Sequence, residues 1–343
     1  MTEPCVTRPP LSRTGPLVAV DWGTTSLRGA LIGSDGRVLA ARSAARGILS
    51  IEPGGFPEVF SAHFGDWMAE PGAVALISGM AGSRQGWVEA PYCPCPARFE
   101  DLASAAIWIE PERIALVPGL SDEHAHAGSS VPDVMRGEEV QIVGAMAITG
   151  LRSGWFVLPG THNKWARVQD GCITGFRSHM TGEFYALLAS QSILSRTLDA
   201  DPQAGWVESA FLQGVAQAAN GAGLLHNAFG TRTLALFDRL PREAGASYLS
   251  GVLIGEELRA QQPAWADGGD LVLVGSPTLT SRYAVALAAH GVAARTLDAE
   301  ATWAGLHALA AIVFGPEDRT DRSPPVRSPA PSPIIEPRIK PKP

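Results

Sequence analysis

The stretch "VAVDWGTTSLRGALI", Val18 to Ile32, decides the fold of this chain. A buried apolar run ends in Asp21, turns through "GTTS" and resumes as a second apolar run. Such a turn directs backbone N–H groups and hydroxyls to one point, which is how a loop holds phosphate oxygens. Asp21 suits a hydrated Mg²⁺ that bridges phosphates, because this ion prefers carboxylate oxygen and keeps several waters. A hairpin with an incidental acid is the alternative interpretation.

A second turn repeats this pattern in "LPGTHNKWARV", Leu158 to Val168. It follows a strand-like run and supplies Gly160, Thr161 and Lys164 before the next run. Two such turns, one in each half, are more specific than either alone. They fit a site that holds a triphosphate from both sides of a cleft.

A third motif, "LVLVGSPTLTSRYAVALAAHG", is a buried strand that turns through Gly275 and Ser276 into a helix. Glycine at this junction lets the backbone approach a flat ligand closely, and the helix N-terminus favours polar or anionic atoms. On its own the motif is an ordinary strand–helix junction.

The order of the predicted elements indicates a duplicated architecture. A strand meander followed by helices and buried strands occurs once before and once after Leu151, and ligands bind in clefts between such halves. We expect domains at residues 17–150 and 151–314, with the last helix, 301–314, either in the second domain or returning to the first. Residues 1–16 and 315–343 are rich in Pro, Arg and Ser, which predicts disordered tails.

The composition excludes several classes of partner. A net charge of −7 over 343 residues argues against a nucleic acid or an anionic membrane, since both require clustered Lys and Arg. The four cysteines do not form a disulfide framework in a chain of this length. There is no secretory apolar region and no apolar run of membrane-spanning length, so we expect a cytoplasmic protein with a small-molecule partner. A homodimer is compatible with the sequence.

In this order and at this separation, the three motifs resemble the α/β actin-like ATPase (ribonuclease H-like) fold, in which two similar domains surround a nucleotide cleft. Actin, the heat-shock chaperones and the sugar kinases share this fold, and the resemblance covers residues 17–314. The chain is most similar to the 2-dehydro-3-deoxygalactonokinase family, through the three motifs together with "ISGMAGSRQGWVEAPY", "VMRGEEVQIVGA" and "SHMTGEFYALL". This resemblance implies phosphorylation of 2-dehydro-3-deoxy-D-galactonate at its 6-hydroxyl, with ATP and Mg²⁺. It also implies nucleotide contacts at Gly23, Thr24, Thr25, Ser26, Gly160, Thr161, Lys164, Gly275 and Ser276.

Kinases of this superfamily place a carboxylate shortly before the second phosphate turn, as a base for the attacking hydroxyl. "RGEE" stands at the corresponding place, so Glu138 or Glu139 is the predicted base, beside Asp21 as the residue that holds the metal through water. Asp133 is the next candidate. Relatives such as glycerol kinase carry Asp instead, and two acids in a first helical turn can also simply stabilise the helix dipole.

A 2-keto acid substrate needs a partner for its carboxylate, and the planar guanidinium of Arg suits that group best. Arg84 follows the strand "AVALIS" and is the predicted partner, although a solvated Arg84 is an alternative interpretation. Capping of the following helix is the alternative interpretation of Thr181, which is predicted to contact the sugar. The predicted substrate residues are Arg28, Ser83, Arg84, Trp87, His162, Asn163, Thr181 and Glu183, with Gln85 also shaping the pocket. His63, His124, His126 and His226 show no ligand spacing.

Two other functions agree with the sequence. One is a different sugar or sugar-acid kinase, or a phosphohydrolase, on the same fold. The other is a nucleotide-dependent assembly protein of the actin type, which filament pelleting with ATP would reveal.

Overall fold

The computed structural model describes residues 15–123, 131–199, 205–266 and 268–315. Most of both predicted tails, together with His124 and His126, lies outside these residues. No helix within the described ranges has the length and apolar character needed to cross a bilayer.

The first half is built on a six-stranded sheet. Its elements are β1 (Leu17–Trp22), β2 (Leu27–Ile32), β3 (Val38–Ala44), α1 (Phe56–Met68), β4 (Val74–Gly79), β5 (Cys93–Pro94), α2 (Phe99–Ser104), β6 (Ile107–Glu110), β7 (Ile114–Leu116), β8 (Leu120–Asp122), β9 (Asp133–Met135) and α3 (Glu138–Thr149), with short 3₁₀ helices at Ile48–Ser50 and Met80–Gly82. The strand order is β3-β2-β1-β4-β7-β6, and β5, β8 and β9 form a separate small sheet. β1 runs antiparallel to β2 and parallel to β4.

The second half contains a five-stranded sheet and most of the helices. Its elements are β10 (Gly154–Leu158), β11 (Asn163–Gln169), β12 (Cys172–His179), α4 (Thr181–Gln191), α5 (Glu208–Ala218), α6 (Leu224–Leu236), α7 (Arg242–Trp265), β13 (Leu271–Val274), α8 (Pro277–Ala289), β14 (Arg295–Leu297) and α9 (Glu300–Val313), with a 3₁₀ helix at Ile193–Thr197. The strand order is β12-β11-β10-β13-β14. β10 runs antiparallel to β11 and parallel to β13.

The two sheets share a five-strand arrangement, to which the first sheet adds β6, antiparallel to β7 at its edge. In each, a three-stranded antiparallel meander is followed by two parallel strands added beside its first strand. The central strands β4 and β13 are buried along their whole length, as their continuous apolar sequences predict for parallel strands covered on both faces. This duplicated order confirms the predicted actin-like α/β architecture.

Helix α9 packs against α3 and also contacts β1, β2 and β4 of the first sheet. Two glycines permit the close crossing of α3 and α9. A Cβ at Gly144 would lie 1.7 Å from the carbonyl oxygen of Ala301, and one at Gly305 would lie 2.0 Å from that of Val140. The chain therefore returns to its first sheet at its last helix. The domain division near Leu151 stays a prediction.

Several short elements were not predicted from the sequence. β5, β8 and β9 span only two or three residues each, too few for an alternating pattern to be recognised. β9 matters for the site, because it leads directly into the residues before α3.

Candidate active site

A cleft of about 290 Å³ lies where the two meander turns approach each other. Four segments line it: Asp21, Gly23 and Thr24 after β1; Gly79 and Met80 after β4; Arg136, Gly137, Glu138 and Gln141 at the start of α3; and Leu158 to His162 after β10. The structure thus brings the first predicted phosphate turn, the second one and one predicted base to a single cavity.

The first turn is closed by its own backbone. The N–H of Gly23 donates to the carbonyl oxygen of Ser26 at 2.9 Å. The N–H groups of Ile48 and Leu49 donate to the carbonyls of Gly23 and Thr24 at 3.0 and 3.2 Å. Thr24, Thr25 and Ser26 remain exposed, although only Thr24 of these three lines the cleft.

Asp21 and Arg28 form an ion pair beside this turn. They are register partners on β1 and β2, so strand pairing places the two side chains together. One carboxylate oxygen of Asp21 accepts a hydrogen bond from Nη2 of Arg28. Arg28 is therefore a partner of Asp21 and does not line the cleft.

The second turn is closed by a side chain. The N–H of Gly160 donates to Oδ1 of Asn163 at 2.7 Å, and Nδ2 of Asn163 donates to Oε2 of Glu257 at 2.7 Å. Asn163 was predicted to contact substrate, but its side chain is buried within the protein. Its amide holds the turn in place, which is a positioning role.

Glu257, on α7, is the centre of a buried hydrogen-bond network. It is 4% exposed and accepts hydrogen bonds from four side chains, namely Asn163, Trp165, Thr181 and Tyr283. A buried carboxylate needs such donors to offset the loss of hydration. The network ties the second turn to α4, α7 and α8. Nothing near Glu257 in the sequence indicated this role, because its partners lie far along the chain.

A smaller cavity of about 50 Å³ adjoins the second turn between α4, α7 and α8. Its lining includes Gly160, Asn163, Thr181, Tyr185, Ile254, Leu279 and Arg282. The third motif is close by, since a Cβ on Gly275 would lie 3.2 Å from the carbonyl oxygen of Pro159. Gly275 and Ser276 do not themselves line this cavity. The residues one turn into α8 do.

The two adjacent acids of α3 have different surroundings. Glu138 lines the cleft, and Oε2 accepts a hydrogen bond from the N–H of Arg136 at 3.0 Å. Glu139 is fully buried and turns back to the N–H of Gly137 at 2.7 and 2.8 Å. Burial raises the pKa of Glu138, against the opposing charge of Lys164, while burial and the charge of Glu138 raise the pKa of Glu139 to about 8. Only Glu138 can meet a ligand in the cleft.

Hydrogen bonds through the hydroxyl of Ser178 connect Lys164 and Asp133. Lys164 is 6% exposed, and its ammonium donates to the carbonyl oxygen of Val134 at 3.0 Å and to the hydroxyl of Ser178. Asp133 accepts hydrogen bonds from the N–H and the hydroxyl of Ser178, both at 2.6 Å. Lys164 therefore does not lie on the predicted phosphate surface, because the pleat of β11 points it toward β9. Its charge acts instead on Glu138.

Two predicted substrate residues in the first half need correction. Arg84 has an 87% exposed side chain and pairs with Glu89 at 3.4 Å, so the structure does not bring it to the cleft. Trp87 packs edge-on against Trp22 and close to Phe56, as part of the apolar core. Ser83 has a buried hydroxyl with no partner among the described residues.

The second half contributes a pair of polar side chains at the cleft's edge. His162 lines the cleft and hydrogen-bonds Glu183, and both side chains are partly exposed. The N–H of Glu183 donates to the carbonyl oxygen of Thr161 at 3.0 Å, which brings α4 onto the turn. A Cβ at Gly182 would lie 2.1 Å from the carbonyl oxygen of Gly160, so this contact requires glycine. Thr181 lines the smaller cavity and is held by Glu257.

No group of three or more His, Cys, Asp or Glu side chains within the described ranges is arranged to hold a metal ion. Asp21 is the carboxylate of the first turn, and one of its oxygens is engaged by Arg28. This chemistry suits an ion held through water and phosphate, and does not suit an all-protein cage.

Arg136 is a cleft residue that the sequence analysis did not select, although it lies within the quoted "VMRGEEVQIVGA" motif. The sequence signal was its position two residues before Glu138.

The chain is similar to a kinase family over most of its length. A family model for 2-keto-3-deoxy-galactonokinase matches residues 21–309. A protein from Rhizobium meliloti (strain 1021) named "Probable 2-dehydro-3-deoxygalactonokinase DgoK1" is 37% identical over 309 residues, which is 89% of this chain and 99% of the relative. The 2-dehydro-3-deoxygalactonokinase of Escherichia coli (strain K12) is 34% identical over 278 residues, 81% of this chain and 91% of the relative.

A solved structure gives the same result. A crystal structure described as that of "a putative 2-dehydro-3-deoxygalactonokinase protein from Sinorhizobium meliloti" superposes with a TM-score of 0.78 at 37% identity. The match covers 87% of this chain and 99% of that chain.

Proposed function

The chain belongs to the 2-keto-3-deoxy-galactonokinase family, and from this premise we propose that it phosphorylates 2-dehydro-3-deoxy-D-galactonate at the 6-hydroxyl, with ATP as the donor. The observation that carries the proposal is the meeting of two Gly-Thr turns, one from each half, with Glu138 in one cleft. This arrangement provides phosphate contacts from two sides and a carboxylate for the acceptor hydroxyl.

In this proposal the two turns bind the phosphates of ATP. Thr24 and Thr161 line the cleft and offer hydroxyls to phosphate oxygens, while the N–H groups of Gly23 and Gly160 hold their own turns closed. The adenosine extends past Gly160 toward the smaller cavity, beside Gly275 and the first turn of α8. Gly160 lines both cavities, so one nucleotide can occupy them together.

Asp21 is the residue that would hold Mg²⁺. Its carboxylate oxygen that is not bonded to Arg28 would contact the ion through water. When bound there, the ion would neutralise charge on the β- and γ-phosphates. Arg28 fixes the orientation of Asp21 by their ion pair.

Glu138 acts as the base. The oxygen of the 6-hydroxyl attacks the γ-phosphorus, its proton passes to the carboxylate of Glu138, and the bond from the γ-phosphorus to the β,γ-bridging oxygen breaks to release ADP. Kinase catalysis consists mainly of positioning and charge stabilisation, so the base has chiefly to orient the hydroxyl. The raised pKa of Glu138 brings it closer to the pH at which it works.

The position of Lys164 supports this role for Glu138. Its buried ammonium opposes the effect of burial on the pKa of Glu138, so the carboxylate can ionise in the cleft. We assign Lys164 to this electrostatic function and not to direct phosphate binding. Because ATP is the donor, we also propose that the enzyme works in the cytoplasm.

A coupled ADP-release assay tests the proposed function. Purified protein is incubated with ATP, Mg²⁺ and either the galactonate or the gluconate form of the 2-keto-3-deoxy acid, with glycerol and glucose as controls. We expect turnover with the galactonate form and none above background with the controls, and the position of the new phosphate is checked by NMR. Turnover of a neutral sugar in preference to both acids would overturn the proposal, as would ATP hydrolysis without acceptor phosphorylation.

A further inference from the structure

A guanidinium without an anion lies next to the proposed base. Arg136 lines the cleft between β9 and α3. Its Nη2 donates to the carbonyl oxygen of Ala90 at 2.8 Å, and its guanidinium carbon lies 4.4 Å from the ring centre of Tyr92. Within the described residues, no carboxylate forms an ion pair with it.

Two further nitrogens of this side chain, Nε and Nη1, are buried and have no hydrogen-bond partner among the described residues. Buried donors on a charged group are costly to leave unpaired, and such groups usually have a partner. On the planar guanidinium, Nε shares one edge with Nη2 and Nη1 shares the other, so each unpaired nitrogen offers a donor to an anion beside Nη2. The structure therefore holds a cation with two unpaired donor nitrogens and no carboxylate partner among the described residues.

The surroundings of Arg136 keep this group in place. A Cβ at Gly82 would lie 2.8 Å from Nη1, so only glycine leaves room for the guanidinium. The next residue, Ser83, has a buried hydroxyl that also lacks a partner. Two polar side chains on neighbouring segments are thus unsatisfied in the same part of the first half.

The contrast with Arg84 shows why Arg136 is the better match for an acid group. Arg84 is exposed and already paired with Glu89. An exposed ion pair contributes little and is screened by salt, whereas a guanidinium that is held rigidly and shielded from water discriminates strongly for an anion.

Arg136 and Glu138 both line the cleft and carry the two kinds of group that the ends of the proposed substrate require. The backbone N–H of Arg136 donates to Glu138, so the base and the guanidinium are attached to the same short segment. A 2-keto-3-deoxy sugar acid carries its carboxylate at C1 and the reacting hydroxyl at C6. A molecule bound with its hydroxyl at Glu138 would extend its other end toward the side of the cleft that Arg136 lines.

We propose that Arg136 binds the carboxylate of the substrate, with Tyr92 and the carbonyl of Ala90 orienting its guanidinium. This inference rests on the proposed function. It makes Arg136 the residue that selects a sugar acid over a neutral sugar, and it replaces Arg84 in that role.

The test compares the keto acid with its neutral carboxamide as acceptors, in the wild type and in Arg136→Gln. We expect the wild type to prefer the acid by about 100-fold or more in kcat/KM, because a site built for a charged group rejects the analogue that lacks it. Arg136→Gln should remove most of this preference by raising KM for the acid, while its rate with the carboxamide and its calorimetric affinity for ATP change by less than about threefold.

Arg136→Lys keeps the charge without the planar fork, so it should retain part of the preference. This variant also keeps the test decisive if Arg136→Gln proves unstable in a thermal melt. Arg295→Gln, an exposed residue of β14 that pairs with Asp270, is the matched control for loss of one positive charge. Arg84→Gln tests the competing residue and should keep the preference for the acid.

The outcomes separate the two proposals. If the wild type phosphorylates the acid and the Arg136 variants keep the same preference for it over the carboxamide, Arg136 is not the anchor and the proposed function stands. If the wild type phosphorylates neither compound, the proposed function falls and the assignment of Arg136 falls with it.

Discussion

The two Gly-Thr turns look alike in sequence but are held in different ways. In each, the N–H of the glycine is taken by an acceptor three residues later. In the first turn that acceptor is the backbone carbonyl of Ser26, and in the second it is the side-chain oxygen of Asn163. The first turn is therefore self-contained, whereas the second depends on Glu257 and on the helices that surround it.

The turns also differ two residues before the glycine. Asp21 stands there in the first turn and Leu158 in the second, so only the first carries a charge toward the cleft. In our proposal both turns contact the phosphates, the first also holds the metal, and the second is coupled to the smaller cavity that Gly160 and Asn163 line.

The largest effect is expected at Glu138, which belongs to neither turn. Glu138→Gln should lower kcat by about 10²- to 10⁴-fold, the usual range for loss of a general base, and leave ATP affinity within about threefold. Glu139→Gln should retain more than about a tenth of the wild-type rate, because its carboxyl faces Gly137 and not the cleft. Single-turnover phosphorylation measures the rate, and titration calorimetry measures the affinity for ATP.

The pH dependence gives a second measure of Glu138. Because its pKa is raised, it loses its proton at a higher pH than an exposed glutamate, so kcat should increase with pH as the base ionises.

If both Glu138→Gln and Glu139→Gln keep more than a tenth of the wild-type rate, the catalytic carboxylate lies elsewhere, and Asp133 is the next residue to test.

Asp21→Asn tests the charge that distinguishes the first turn. Removal of the metal-binding carboxylate should lower kcat by at least about 100-fold, since metal-mediated charge stabilisation is worth several kcal/mol. The measurement is turnover as a function of Mg²⁺ concentration. Near-normal turnover at saturating Mg²⁺ would show that Asp21 has no role in holding the ion.

A pair of alanine variants compares the two closures directly. Asn163→Ala removes the acceptor of the second turn and one donor to Glu257, so KM for ATP should rise about tenfold and the free energy of unfolding should fall by about 1–3 kcal/mol. Ser26→Ala leaves its backbone carbonyl in place and should change both quantities far less. Equal effects of the two variants would contradict the proposed difference between the turns.

The smallest effect is expected from the tails, which contribute to neither turn. A chain shortened to residues 15–317 should fold and turn over like the full chain, because the removed segments are poor in apolar residues. Thermal melts and steady-state kinetics check this. An insoluble product, or one without a melting transition, would show that the predicted boundaries are misplaced.

The sequence predicted the fold well where the signals are local. The order of the long strands and helices follows from apolar runs and turn residues, and the observed strands β1, β2, β10 and β11 match the predicted segments. The two Gly-Thr turns could be found because their chemistry is concentrated in a few adjacent residues. Short strands such as β9 could not be found, because three residues carry no periodicity.

The site was predicted less completely. Glu138 and Glu139 are both acids in one helical turn, and only packing places Glu138 in the cleft and buries Glu139. Lys164 was expected at phosphate, yet the pairing of β11 with β12 turns it toward Ser178. In both cases the sequence indicated the type of residue at the site, but it could not predict the direction of the side chain.

By itself, the sequence determined the duplicated α/β architecture, the two turns and the kinase family, because neighbouring residues encode turns, periodicity and motif. Only the tertiary structure decided which arginine lines the cleft, which glutamate faces it and what holds the second turn. Those outcomes depend on contacts between residues far apart in the chain, such as Glu257 with Asn163 and Arg136 with Ala90. Burial and side-chain direction arise when distant segments pack together, and no local pattern records them.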